Sequence, residues 1–238
     1  MMNSKDKFIE FIEGLHQTNE EKKIEDYFQK IASCLMNELC INCGGKKYRI
    51  IECEIYYNDG NTHKDPYLYG SKDAYSASHQ RKKLHWFFHD SGIDLTIGNG
   101  SNKMGGILIR SIIEINNNND LPLSGPLILR KYILNSITGG AFENSNQLYV
   151  ILEPIPINIK STSEVEINTI ATERINIDKK VIKDNPDYFS RKYRYIAFEF
   201  LSKSDGKEKI VWQLFFEKKI TEDQAKTILG YKPSFLNK

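Results

Sequence analysis

The chain predicts a single mixed α+β domain, and three observations predict it. A helical apolar stripe occupies residues 5–39, short β-rich segments follow it, and no linker is long or biased enough to split the 238 residues. The domain therefore spans residues 1–238, with residues 1–24 as an N-terminal helical extension.

Each element has its own signal. Phe8, Phe11 and Ile12 recur at helical spacing, and after a capping stretch from Thr18 to Glu21 the stripe resumes at Ile24, Phe28, Ile31, Leu35 and Met36. Two helices follow from that. Cys40 to Lys46 reads as a break, and Tyr48 to Tyr57 is rich in β-formers and reads as a strand. Residues 58–82 are polar and without period, a length at which functional loops are common. Further strands are expected over Leu84–Phe88, Gly92–Ile97 and Gly106–Ile115. In the last, alternation sends Ile107, Ile109 and Ser111 one way and Leu108, Arg110 and Ile112 the other. Asn116 to Asp120 reads as a polar turn, and Pro126 opens a helix over residues 125–136. Residues 147–157, 164–170 and 194–200 read as strands, with Ile210–Phe216 as a hairpin partner across Asp205-Gly206. Thr221 to Gln224 opens a final short helix ending near Gly230.

Composition excludes several classes. With 40% apolar and 27% charged residues the chain is too apolar for wholesale disorder, and no apolar run approaches the length of a membrane helix. The N-terminus lacks a secretory h-region, and four cysteines form no disulfide scaffold at this size, so a cytoplasmic protein is expected. A net charge of +2 says little about partners; the basic runs at 79–83 and 191–195 say more, because basic residues beside aromatics can hold a phosphate backbone and stack a base. Motifs of serine hydrolases, Walker A nucleotide sites and dinucleotide sites do not occur.

Glu52 and Glu54 share one face of their strand with Tyr56, and Arg110 sits among apolar neighbours where a buried guanidinium needs a partner. Two enclosed carboxylates would push one pKa up and leave a usable acid or base, whereas Arg110 could keep one ionised; on a half-exposed strand they would simply be its wet side. Cys40 and Cys43 could open a zinc knuckle completed by Cys53, His85 or His89, or could be a turn flanked by small polar residues. His85 and His89 bracket Trp86-Phe87-Phe88, as ligands, substrate contacts or core residues.

These features resemble, in order, the alkyladenine (3-methyladenine) DNA glycosylases. The segments carrying the resemblance are RIIECEIY at 49–56, His63 in the next loop, LHWFF at 84–88, GGILIRS at 105–111, GPLILRKYI at 125–133 and RKYRYIAFEF at 191–200. It covers roughly residues 25–200 and implies a curved, mostly antiparallel sheet with packed helices. It implies Glu54 as general base and Arg110 as holder of the attacking water and nearby backbone. Tyr56 and His63 would contact the flipped base, with Phe87 or Phe88 as the opposing ring and His89 beside them. Glu52, Arg81, Lys82, Lys83 and Arg130 are secondary candidates. The chain departs from the family where a wedge tyrosine precedes glycine: here Ser91-Gly92 stands instead. That departure points to single-stranded or distorted DNA, where unstacking costs less.

The expected activity is hydrolysis of the N-glycosidic bond of a damaged or modified purine in DNA, with water activated by Glu54. No motif lysine is placed for a Schiff base, so strand cleavage is not expected. Neither metal, cofactor, membrane nor obligate protein partner is expected. The alternatives are a non-catalytic module that binds nucleic acid or a modified nucleotide, and a hydrolase of small modified nucleosides.

Overall fold

The computed structural model describes residues 3–115, 121–137, 150–156, 167–177 and 186–237. The turn expected at 116–120, and the parts of the expected strands at 147–149, 157 and 164–166, lie outside the described residues.

Two helices open the chain, α1 (Ser4–Gln17) and α2 (Glu21–Asn37). The Asn3 side chain caps α1 by accepting from the Asp6 N–H, and Phe8, Ile12 and Leu15 of α1 are buried in the main core beside Ile24, Phe28, Ile31 and Leu35 of α2. The first helix thus contributes to the core of the domain.

Nine strands, among the described residues, join one sheet in which every pairing is antiparallel. They are β1 (Leu39–Cys43), β2 (Lys46–Asn58), β3 (Lys83–His89), β4 (Gly92–Ile97), β5 (Met104–Glu114), β6 (Leu123–Ser124), β7 (Val150–Pro154), β8 (Thr169–Thr172) and β9 (Arg194–Ala197). The main path runs β3-β4-β5-β2-β1-β7; β6 pairs with β5, and β9 joins β8 to β2. The segment read as a break is β1, turned onto β2 by Gly44 and Gly45, both at positive φ. Residues 58–82 are not structureless throughout: α3 (Ala74–Gln80) lies within them, capped by the Asp73 side chain.

The middle strand β2 decides the layout. Cys53, Ile55 and Tyr57 are buried in the core on the side of α2, where the Phe28 ring meets Tyr57 edge-on at 6.0 Å. Glu52, Glu54 and Tyr56 point to the opposite face. The β2–β5 register shifts on both sides of Glu52, so that Ser111 pairs with Glu52 while Ile109 pairs with Cys53. Such an irregularity bends the strand and re-aims side chains. It corrects the simple alternation: Ser111 joins Arg110 in reaching Glu52, and Ile112 is buried in the core opposite Ile50.

Helix α4 (Pro126–Ile137) lies against β4 and β5. Residues expected to continue as a hairpin strand instead form α5 (Lys207–Phe216), because Ile210, Val211 and Leu214 bury one helical face in a second core cluster. The strand β9 likewise stops at Ala197 and passes into a 3-10 turn over Phe198–Lys203. The last helix, α6 (Glu222–Leu229), has a capping box between Thr221 and Gln224 and ends at Gly230, as expected. No described helix is long and apolar enough to cross a membrane.

Candidate functional site

A row of directly paired residues crosses the polar face: Asp94 on β4, Leu108 on β5, Glu54 on β2 and Arg194 on β9. Paired residues on adjacent strands point the same way, so these side chains stand side by side. Above them lies a cavity of about 680 Å³, a size that suits a small organic ligand. Glu54, Tyr56, His89, Asp94 and Arg110 line it from the sheet, and Tyr67, Tyr69 and Lys72 line it from the loop before α3. Residues 125–128 at the start of α4 and 175–177 after β8 complete the wall.

Glu54 is fully buried and held on both oxygens. The Tyr56 hydroxyl donates to Oε2 at 2.7 Å, the Ile175 N–H donates to Oε1 at 3.2 Å, and Arg110 Nη1 lies 3.4 Å from Oε1. Burial opposes the charge of Arg110, but Glu54 and Glu52 outweigh it and raise the guanidinium pKa. Burial, followed by the charge of Glu54, raises the pKa of Tyr56, which keeps the phenol as a proton donor.

Glu52 lies behind the cavity wall and binds two arginines. Arg110 Nε and Arg194 Nε each donate to its Oε1 at 2.8 Å, and the Ser111 hydroxyl donates to Oε2 at 3.0 Å. Its place is that of a buried counter-charge that fixes Arg110 opposite Glu54.

A second buried pair ties the loop to the site. Arg174 is bound to Asp65 through both terminal nitrogens, donates to the Ile55 and Tyr188 carbonyls, and stacks 4.5 Å from the centre of the Tyr56 ring. Burial works against its charge, yet Asp65 prevails and raises the pKa. This clamp holds Tyr56 and the start of the Tyr67–Tyr69 loop on one side and Ile175 on the other. Sequence reasoning missed Arg174, Asp65, Asp94, Tyr67 and Tyr69. An aspartate alternating with Thr96 inside β4 is the signal that could have found one of them; Arg174 sits in the mixed stretch ERINI after β8, which marks no site.

The other candidates lie as follows. Phe87 packs behind His89, with ring centres 5.2 Å apart, and Phe88 packs against the main core instead. His63 is fully buried among Phe28, Tyr57, Tyr188 and Tyr193, where its Nδ1 donates to Glu21 at 2.7 Å, and it does not line the cavity. Burial lowers its pKa despite Glu21, in part because Arg191 also binds that carboxylate. Arg130 Nη1 donates to the His89 carbonyl at 2.6 Å. Arg81 and Lys82 are exposed beside α3, and Lys83 pairs with Glu13 of α1. Cys40 and Cys43 stand three apart on β1, on opposite faces, and burial pushes the Cys40 thiol up to about 11. Among the described residues no group of three or more histidines, cysteines or carboxylates is arranged to hold a metal ion.

No family model matches the chain, and no solved structure matches it. Among curated proteins it is similar to the uncharacterized protein L759 of Acanthamoeba polyphaga mimivirus, at 28% identity over 213 aligned residues, covering 74% of this chain and 88% of that protein.

Proposed function

We propose that the chain hydrolyses the N-glycosidic bond of a modified purine base in DNA, with Glu54 activating the water and Arg110 holding Glu54 in place. The observation that carries this reading is a buried carboxylate, oriented by Tyr56, Arg110 and the Ile175 N–H, at the wall of a tyrosine-lined cavity. Breaking this bond builds positive charge on the sugar, which a fixed carboxylate stabilises while it takes a proton from water. Tyr56, Tyr67 and Tyr69 supply π-faces for a planar base turned out of its strand. The resemblance of the motifs around Glu54, Tyr56 and Arg110 to the alkyladenine DNA glycosylases supports the same chemistry, and a sheet of that family's kind is part of the proposal.

The test is base release from alkylated and deaminated DNA, single- and double-stranded, alongside free nucleosides. Wild type is expected to release one modified base, and Glu54→Gln to slow release by about 10²–10⁴-fold with affinity retained. Equal release by both proteins contradicts the assignment.

One observation favours a second reading. Both Glu54 oxygens already accept hydrogen bonds within the protein, an arrangement that also suits a recognition module without turnover. Binding of modified nucleotide or DNA with no release from any substrate would select it.

A further inference from the structure

Beyond Leu108 from Glu54, the cavity is bordered by a polar chain, Gln80–Asp94–His89, that the hydrolytic reading does not use. Gln80 Nε2 donates to Asp94 Oδ2 at 2.5 Å, and Asp94 Oδ1 lies 3.1 Å from His89 Nε2. The side chains of His89 and Asp94 are each only 4% exposed, yet both residues line the cavity. The Ser91 N–H donates to His89 Nδ1 at 3.2 Å, which makes Nδ1 the acceptor and puts the ring proton on Nε2. That Nε2 is buried and makes no hydrogen bond: it is near Asp94 Oδ1 but off the line that a bond requires. An unspent donor in a buried site is costly and calls for a reason.

The surroundings hold this edge rigidly. Tyr69 lies against the imidazole, ring centres 4.1 Å apart, and Arg130 fixes the His89 carbonyl. Gly106 makes room for the chain, since a Cβ there would stand 2.7 Å from both Asp94 Oδ2 and Gln80 Oε1. Asp94 and Glu54 are separated by the single strand β5 and flank the same residue, Leu108. Two adjacent strand spacings place their backbones about 10 Å apart, so the two carboxylates border the cavity on either side of the Leu108 side chain.

We propose that Asp94 and His89 form the recognition edge of this cavity: Asp94 Oδ1 accepts from, and His89 Nε2–H donates to, a planar heterocycle that carries an N–H beside a carbonyl or ring-nitrogen acceptor. Gln80 is a positioning residue, acting through Asp94. The proposal rests on the reading of the cavity as a base pocket and adds the class of base it takes. It requires no proton transfer: the His89 ring donates through Nε2 while Nδ1 accepts from the Ser91 N–H.

Titration calorimetry of the full chain with the 9-methyl derivatives of adenine, hypoxanthine and unsubstituted purine tests this. With N9 blocked, the first two still present a donor beside an acceptor, whereas the purine has acceptors only. Either or both of the first two are expected to bind at least about tenfold tighter than purine, the worth of one hydrogen bond to a charged partner. Asp94→Asn is expected to erase most of that preference, and His89→Phe to weaken adenine and hypoxanthine more than purine. Gln80→Glu, which sets a second carboxylate against Asp94, is expected to reduce the preference without touching the ligand. Equal binding of all three bases by wild type, or no binding of any, overturns the proposal even if no variant folds. The 9-methyl bases have no glycosidic bond, so the titration is independent of hydrolysis. Selective binding without base release by wild type would sink the hydrolytic reading alone. Base release with unselective binding would sink the recognition edge alone.

Discussion

Cys53, Ile55 and Tyr57 point from β2 toward the core beside α1 and α2, while Glu52, Glu54 and Tyr56 point from the same strand the other way. Both sets leave water, Tyr56 only in part, for different reasons. On the apolar side each large side chain adds about 1.5–3 kcal/mol by leaving water. On the polar side, burial costs desolvation that the Glu52–Arg110–Arg194 and Arg174–Asp65 contacts roughly offset. The apolar face stabilises the domain. The polar face gains little net energy and instead fixes charged groups around a cavity.

That contrast can be broken most sharply at Glu52. Glu52→Ala leaves Arg110 and Arg194 buried without their shared carboxylate, and a loss of about 3–5 kcal/mol is expected in urea unfolding. Ile109→Val, its neighbour on the apolar face, is expected to cost only about 0.5–1.5 kcal/mol in the same assay. A Glu52→Ala cost no larger than that of Ile109→Val would refute the division between the faces.

Gly106→Ala is the next largest effect. Its new methyl would overlap Asp94 and Gln80, and overpacking of this kind costs about 1–3 kcal/mol. Thermal unfolding should show a lowered midpoint, and no change would mean that the polar face yields more readily than the contacts imply.

The smallest effect is a pH dependence on the apolar side. Burial holds the folded pKa of His63 below its ordinary 6.5, so the unfolded chain takes up the proton first as pH falls. Its contribution to stability is complete above 6.5 and is lost as pH falls through the lower, folded value. His63→Gln, which keeps a donor for Glu21 but does not titrate, is expected to flatten the stability profile below pH 6.5. An unchanged slope would place the dependence elsewhere.

The strands that carry Glu54 and Arg110 were legible because alternation and β-forming residues mark them over ten residues or more. The two N-terminal helices and the Thr221 capping box were legible for equally local reasons. β1 was not, being five residues long and fully buried, so that it has no alternation to read. α5 was misread because Ile210, Val211 and Leu214 fit a short strand as well as a helix until the second core cluster is known. The register shift beside Glu52 is invisible locally, and so was the placement of Ser111. Arg174 meets Asp65 across 109 positions of sequence, and Asp94 meets Gln80 through the turn of α3 into β3. Such pairings belong to the tertiary fold. A sequence can show an arginine and cannot show which carboxylate answers it.

Whether the polar face holds Glu54 for hydrolysis, as proposed, is read from base release followed by mass spectrometry. The substrates are alkylated and deaminated DNA, single- and double-stranded, with free nucleosides in parallel, using wild type and Glu54→Gln. Wild type is expected to release one modified base, and the variant to lose about 10²–10⁴-fold in rate with binding intact. No release by wild type from any of these substrates, with binding retained, would contradict the proposal and leave the cavity as a recognition site.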